Sequence, residues 1–554
     1  MPTETANSTS LVCQIVNLVM SPAEPTHPSA WTPLRQPLFR ALWLASVASN
    51  IGTWMQNVGA AWLMTSLAPS PTLVALVQAA TSLPVFLIAL PAGAIADLVD
   101  RRRLLLATQG WMLVAATLLG ILTIFEVMTP WLLLILTFAL GLGAAMNAPA
   151  WQAITPELVG DSELRAAVTL NGVGYNVARA VGPALGGVIV ALLGTGAVFI
   201  LNALSFLGVM IVLYRWPRVA QASALPVEDV FGAMRAGVRY VRHAPSVQTV
   251  LLRTGAFIIG GGALWALLPL VARNELALDA TGYGVILGCL GAGAVAGGLF
   301  LPRIQSRLST DALLASAILL FALATAGPVY APHFVLLCAV MLFGGVAWIA
   351  IMSTFNVAAQ VTVPGWVRAR ALAVYGIVAQ GGMAISSAFW GVVAERLSLS
   401  MTLLCAAATL ATSLVAIFWY RLKLEAEVDL SPSPHWPEPV LSSEPSPAAG
   451  PVLITIDYTI DTARAADFAV AMCGLRLLRL RDGAYRWGLY NDSAIPTRFV
   501  ETFVVESWAE HLRQHERVTV ADREVESAAL AFHVGPTSPT VTHLIYARAT
   551  VPKR

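Results

Sequence analysis

An arginine inside an apolar run is the residue in this chain that most needs a chemical partner. Arg179 lies about 14 residues into the stretch 166–192, where it is the one charged side chain. At ~1.5 Å per helical residue, that depth puts its guanidinium near the middle of a bilayer. A charge there costs at least ~2.5–3.5 kcal/mol and normally marks a pathway or a pair. No Asp or Glu lies deep in a neighbouring run. The partner is therefore a solute anion, a backbone carbonyl, or an acid brought from a helix end. A substrate or gating role and a structural pairing both stay open. Asn50, Trp54, Asn57 and Ala61 recur at i, i+4, i+7 and i+11, one face of a helix. Asn147 and Trp151 in one other run, and Asn356 in another, could face them. An amphiphilic, aromatic cavity of this kind suits a bulky organic solute. The same residues also serve interhelical hydrogen bonding and interfacial anchoring. His511 and His515, at i and i+4, have metal-ligand spacing, with His533 and His543 as further candidates. There is no HExxH, since Glu516 follows the second histidine. A solvated helix face accounts for the pair, and no metal or cofactor is expected.

Long apolar elements must position these groups. The chain is 57% hydrophobic and only 12% charged, against roughly 25% charged in soluble domains. Spanning helices need about 20 mostly apolar residues. Twelve such runs are expected near 38–66, 72–98, 103–125, 131–155, 166–192, 196–214, 251–271, 281–301, 311–330, 333–362, 369–394 and 399–421. Arginines concentrate on alternate connections, notably Arg101–Arg103, Arg215–Arg242 and Arg368–Arg370, while the remaining loops hold only Arg273 and Arg396. The positive-inside rule then puts both termini in the cytoplasm. The lipid bilayer is an expected partner and nucleic acid is not. None of the five cysteines forms a CxxC pair, and no disulfide frame or zinc site is readable.

Residues 1–33 read as a flexible tail rather than a secretory signal, because no Lys or Arg precedes the short apolar segment Leu11–Met20. Six-helix halves are expected at 34–214 and 251–423, joined by a basic connector at 215–250. Gly93 and Gly298, Arg102 and Arg307, and Arg165 and Arg370 each repeat at an offset of 205, and Gln152 and Gln360 at 208. Two distant sites with nearly one offset suggest paired halves, the architecture of major facilitator transporters.

Two motifs sharpen this reading. Gly93-Ala94-Ile95-Ala96-Asp97-Leu98-Val99-Asp100-Arg101-Arg102 resembles the loop signature between the second and third helices of the major facilitator superfamily. Asp100 replaces a usual glycine and Leu98 a usual basic residue. The resemblance implies gating. Gly93 would allow close helix contact, and Asp97, Arg101 and Arg102 would latch the halves on the cytoplasmic side. A plain topology signal is the alternative. Gly182-Pro183-Ala184-Leu185-Gly186-Gly187 resembles the exporters' GPxxGG motif, with Ala178 in place of its preceding glycine. Helix packing by small residues alone would also explain it.

Together with Trp54-Met55-Gln56-Asn57, Leu267-Leu268-Pro269-Leu270-Val271-Ala272-Arg273 and Pro364-Gly365-Trp366-Val367-Arg368-Ala369-Arg370, these motifs look like the enterobactin-exporter-like branch of that superfamily, the transmembrane secretion effectors. The resemblance covers about residues 34–423. It implies an inner-membrane antiporter exporting siderophores, drugs or other small organic molecules against protons. The first span carries no acid. Glu126, Glu395, Asp97 and Arg179 stay open as coupling groups.

Residues 424–450, rich in Pro, Ser and Glu, read as a linker. After it, residues 451–554 follow a βαββαβ order that suggests a small cytoplasmic ferredoxin-like α+β domain. This domain resembles the dimeric α+β-barrel tail of some family members, and antibiotic-biosynthesis monooxygenases. The likeness implies dimerisation through the tail. It also gives a second reading, an enzyme or ligand sensor tethered to a permease. Tyr485, Trp487, Tyr490, Phe499 and Trp508 would line its cavity or fill its core. Fold likeness licenses no activity.

Overall fold

The computed structural model describes residues 31–68, 70–160, 163–216, 230–331, 333–422, 429–433, 435–436, 443 and 445–547. The expected flexible tail therefore falls almost wholly outside the described residues. Apolar runs become helices because a bilayer core offers no water to backbone groups, so each N–H and C=O must be satisfied within the segment. Those formed here are α1 (Pro37–Leu67), α2 (Pro71–Leu98), α3 (Arg101–Ile124), α4 (Pro130–Leu158), α5 (Leu164–Leu193) and α6 (Thr195–Arg215). A short amphipathic helix, α7 (Val230–His243), leads to α8 (Pro245–Leu270), α9 (Ala280–Gln305), α10 (Thr310–Tyr330) and α11 (Phe334–Val361). The last two are α12 (Arg368–Arg396) and α13 (Leu399–Trp419).

Among the described residues, eleven helices are long and apolar enough to cross a membrane. The helix left out is α1, although it has 31 residues. Its Asn50, Gln56 and Asn57 lower its hydropathy, and it still packs along α5 and α6 inside the bundle. Large apolar side chains face outward around the bundle, including Trp111, Leu192 and Val335. Water would not tolerate so large an apolar exterior. The two helix groups meet along α5–α9 and α2–α12.

The C-terminal region contains β1 (Val452–Thr459), α14 (Ala465–Asp482), β2 (Arg486–Asn491), β3 (Arg498–Val505), α15 (Trp508–Arg517), α16 (Val520–Leu530) and β4 (Thr540–Ile545). Alternation along β1 buries Val452, Ile454, Ile456 and Tyr458 against Phe468, Met472 and Leu475 of α14. The sheet is antiparallel in the order β2-β3-β1-β4. The stretch 508–532 reads in the sequence as helical with a break. It breaks at Val518, where Thr519 turns to cap α16 in a reciprocal capping box with Asp522.

This region sits on α7. Arg239 pairs with Glu510 at 2.8 Å, and Arg517 reaches the same carboxylate at 2.7 Å. Burial works against Glu510 ionising. The Arg517 and Arg239 guanidiniums outweigh it and hold the carboxyl below its usual range. Arg517 also lies 4.5 Å from the Trp366 ring centroid, and Arg481 lies 5.3 Å from that of Tyr240. The contact thus joins the C-terminal region to both the connector helix and the turn before α12.

Candidate functional site

Arg179 sits on α5 and is 8% exposed. Its guanidinium lies 5.9 Å from the ring centroid of Trp265 on α8, in the other helix group. Arg179 Nε and Nη2 and Trp265 Nε1 are all buried, and none has a hydrogen-bond partner. Among the described residues Arg179 makes no ion pair. Buried donors normally find acceptors, so three unsatisfied donor nitrogens on adjacent side chains mark a place that an acceptor can enter. Aromatic rings surround it. Trp54 lies 6.5 Å from Trp265 and 6.3 Å from Tyr175, and Trp265 lies 5.3 Å from Trp348.

The other polar residues expected to line a cavity do not all gather here. Asn147 Oδ1 accepts from Thr108 and Gln109 of α3, at 3.1 and 3.3 Å, so it ties two neighbouring helices. Asn50 donates to Ser46 on its own helix, and Asn356 is exposed and accepts from Gln360. Asn57 is half-buried. Trp151 lines a separate small crevice with Trp43 and Asn171. Trp265, Trp348 and Tyr175 were not foreseen, because one tryptophan in an apolar run carries no spacing signal.

The small residues of 182–187 sit where helices touch. A Cβ on Gly186 would lie 2.8 Å from Met55 Cα of α1, and one on Gly182 would lie 2.6 Å from Trp54 Cβ. A Cβ on Gly187 would lie 2.5 Å from Ala280 O of α9, and one on Gly284 would lie 2.6 Å from Pro183 O. The motif thus faces α1 along one edge and the opposite helix group along the other.

At the end of the bundle away from the C-terminal region, side chains also bridge the two groups. Arg273 donates to Thr65 Oγ1 at 2.8 Å and Ser66 Oγ at 2.6 Å, and stacks 5.6 Å from the Trp62 centroid. Glu395 accepts from Ser70 at 3.3 Å and from Thr72. That end is closed. Arg273 and Glu395 stood in the sequence as loop charges, with no sign of their partners.

In this conformation the loop after α2 makes its contacts within one helix group. Nothing lies within 4 Å of a Cβ built on Gly93, so Gly93 makes no close helix contact in this conformation. Arg101 bonds Ala153 O at 3.1 Å and Glu157 at 2.9 Å, and Arg102 bonds the carbonyls of Leu213 at 2.8 Å and Tyr214. These bonds tie α3 to the ends of α4 and α6 within one helix group and do not cross to the other. Both arginines satisfy helix-terminal carbonyls, for which cations are well suited. The Asp97 side chain lies outside the described residues.

The family model of the transmembrane secretion effectors matches residues 28–550. The chain belongs to the transmembrane secretion effector family. It is a membrane transporter of the major facilitator type, from a family that handles small organic solutes. The secretion-effector relatives include a staphyloferrin A transporter of Staphylococcus aureus, 23% identical over 53% of this chain and 74% of that protein. The multidrug efflux pump Tap of Mycolicibacterium fortuitum is 24% identical over 72% of this chain and 99% of its own length. The enterobactin exporter EntS of Salmonella typhimurium is 25% identical over 48% and 63%. Among solved structures, a bacterial homologue of the lysosomal transporter Spinster aligns with TM-score 0.55 at 14% identity, over 70% of this chain and 95% of that one. The nucleoside transporter NupG aligns with TM-score 0.58 at 13% identity, over 69% and 100%. These likenesses show the fold.

In the C-terminal region of this secretion effector, His511 and His515 bring their Nε2 atoms to 3.4 Å, and the His543 ring lies 4.7 Å from that of His511. His533 is elsewhere, held by Thr459 N and Thr537 O. Among the described residues no group of three or more metal-ligating side chains is placed to hold an ion. Burial, then the neighbouring His515 and His543, push the His511 imidazole from 6.5 down to about 3. The folded state thus disfavours the proton. The stability gained is full above about pH 6.5 and is lost as pH falls toward about 3. Melting of the full chain in detergent should show an acid-sensitive transition over this window, and His511→Phe should flatten it. An unchanged pH profile in a folded His511→Phe protein would exclude this histidine as the cause. Of the five aromatics read as lining a cavity or filling the core, Trp487 and Phe499 pack against the core formed with Trp508. Tyr485 and Tyr490 are exposed, while Trp508 is 2% exposed and belongs to the core.

Proposed function

We propose that this protein exports small organic molecules that carry an acidic or acceptor-rich group, siderophore-like solutes foremost among them. The observation that carries this reading is the set of unsatisfied donors on Arg179 and Trp265, which join the two helix groups. A carboxylate or another oxygen-rich group would satisfy them, and the surrounding rings would cover the solute's apolar part. The siderophore and drug transporters among the relatives agree with this substrate class. In this reading α1 is a twelfth span, both termini are cytoplasmic, and the bundle is closed toward the outside and open inward. A reporter fused after Val440 should then be cytoplasmic, and one near Thr195 external. An external reporter at Val440 would refute the count.

Export would run against protons. Glu395 is the carboxylate best placed to couple, since its protonation would weaken its bonds to Ser70 and Thr72 across the closed end. Glu395→Gln should favour the outward-open state by about 0.5–1 kcal/mol, roughly two- to five-fold. Spin-label distances between the halves at that end would read this, and an unchanged distribution would exclude Glu395. As the halves close inward, Gly93, Asp97, Arg101 and Arg102 would come to the opposing group and gate that side. Efflux into inverted vesicles tests the whole reading. Solute flux that persists unchanged after an uncoupler collapses the gradient would remove the antiport.

A second reading concerns the C-terminal region. Its antiparallel sheet order supports a ferredoxin-like domain. The sheet face away from α14 carries Leu453 beside the exposed Leu544, an apolar surface suited to a second copy. Its contact with α7 favours a sensor or tether over an independent enzyme.

A further inference from the structure

The segment before β1 reads in the sequence as a linker, yet part of it is strapped to the C-terminal region. Ser433 N donates to Val518 O at 2.8 Å. Val520 N and Ala521 N donate back to Ser431 O and Asp429 O at 3.1 and 3.0 Å. The strap carries His435 and Trp436 into a cleft between α14 and α16. The Trp436 N–H donates to the Glu526 carboxylate at 2.9 Å. Its ring lies 4.8 Å from the Arg479 guanidinium and meets the His515 ring edge-on, with centroids 5.0 Å apart. His435 Nε2 is 2.7 Å from the same carboxylate.

The walls have the features of a site made for more than an indole. Arg479 pairs with Glu526 at 2.6 Å. Burial works against Glu526 ionising, but Arg479, with the Trp436 and His435 hydrogen bonds, holds its carboxyl below the usual range. The cleft thus presents a fixed anion beside a buried cation whose stacking face the Trp436 ring covers. Gln514 lines the same cleft, is fully buried, and leaves its Nε2 without a partner. An indole has a donor for Glu526 but no acceptor for Gln514. With Trp436 in place, the remaining space is about that of one water.

We propose that this cleft is a binding site for a small hydroxylated aromatic molecule, and that Trp436 is its built-in occupant. The ligand's ring would replace the indole on Arg479. One hydroxyl would donate to Glu526, and an oxygen would accept from Gln514. Its entry would displace the strap. The same stretch of α14 carries Arg481, which contacts Tyr240 of α7, and Asp482, whose carbonyl accepts from Arg517. Occupancy would therefore act on the connector between the helix groups. The site stands whether or not the bundle exports.

The test uses the full-length protein in detergent, with 4-fluorocatechol as the probe, followed by fluorine NMR. Strap occupancy reduces the apparent affinity of any competitor. Trp436→Ala should therefore bind the probe about ten-fold more tightly than the unmutated protein, and adding Gln514→Leu should reverse the gain. A monodisperse, cooperatively melting Trp436→Ala protein that binds no better would overturn the proposal. So would equal binding after Gln514→Leu, which would place the probe elsewhere. In the unmutated protein, saturating probe should raise hydrogen exchange across residues 429–436. Unchanged exchange there at saturation would also overturn it, independently of how the variants fold.

Discussion

Arg179→Ala is expected to abolish transport while leaving folded protein in the membrane. A hydrogen bond to a charged group contributes about 1.5–3 kcal/mol. Losing about 2–3 kcal/mol of solute binding corresponds to roughly 30- to 150-fold in affinity. Arg179→Lys should keep part of the function, since it retains the charge but loses the planar, bidentate fork. The expectation is sharper than the residue's depth alone would allow. A structural arginine would have its donors satisfied, whereas two of the Arg179 nitrogens and the neighbouring Trp265 N–H are buried without acceptors. Removing the guanidinium leaves no carboxylate stranded among the described residues, so expression should hold. Flux must be measured beside the amount of folded protein. Normal efflux by a well-folded Arg179→Ala protein would end the claim, and parallel loss of protein and flux would make Arg179 structural.

Gly187→Val is expected to have a comparable effect on flux by a different route. The Cβ it adds would lie 2.5 Å from Ala280 O, and Gly284 is close by. No side-chain rotation relieves a clash with backbone, so α5 and α9 would have to separate. Overpacking of this kind costs about 1–3 kcal/mol, and here the cost falls on the conformation in which the two groups touch. Transport should fall by roughly ten-fold or more, with the bundle held open at the end closed by Arg273 and Glu395. Cysteine accessibility at that end should rise as flux falls. A Gly187→Val protein that transports normally would show that this approach is not part of the cycle. Gly208 offers a control, since nothing lies within 4 Å of a Cβ there.

Much of the scaffold could be read from the chain because its cause is local. A helix in lipid needs a continuous apolar run, and eleven of the expected runs stand as helices long enough to span. In the C-terminal region the sequence reads as strands over 452–460 and 499–506, within one residue of the ends of β1 and β3. Arg179 was conspicuous for the same reason, since a charge among apolar residues is visible in one dimension. The small residues at 182–187 were equally visible, although which helix each one touches was not.

The partners were decided elsewhere. Asn147 reads as a cavity residue but turns to Thr108 and Gln109, because the choice between cavity and neighbouring helix depends on rotation about the helix axis. Arg101 and Arg102 read as a latch between halves, and in this conformation they bond to carbonyls within one half. Trp265 gains its meaning only from lying beside Arg179, across an interface between residues 86 positions apart. Trp436 sits in a stretch whose composition signals a linker, yet it is bound to Glu526, 90 residues further on. By itself the sequence determined which segments are apolar enough to enter a membrane, where the expensive charge lies and which stretches are small or polar, since those follow from burial and propensity along the chain. Only the tertiary structure decided which donors remain unsatisfied and which side chain fills which cleft, because hydrogen-bond satisfaction is a property of pairs that packing brings together.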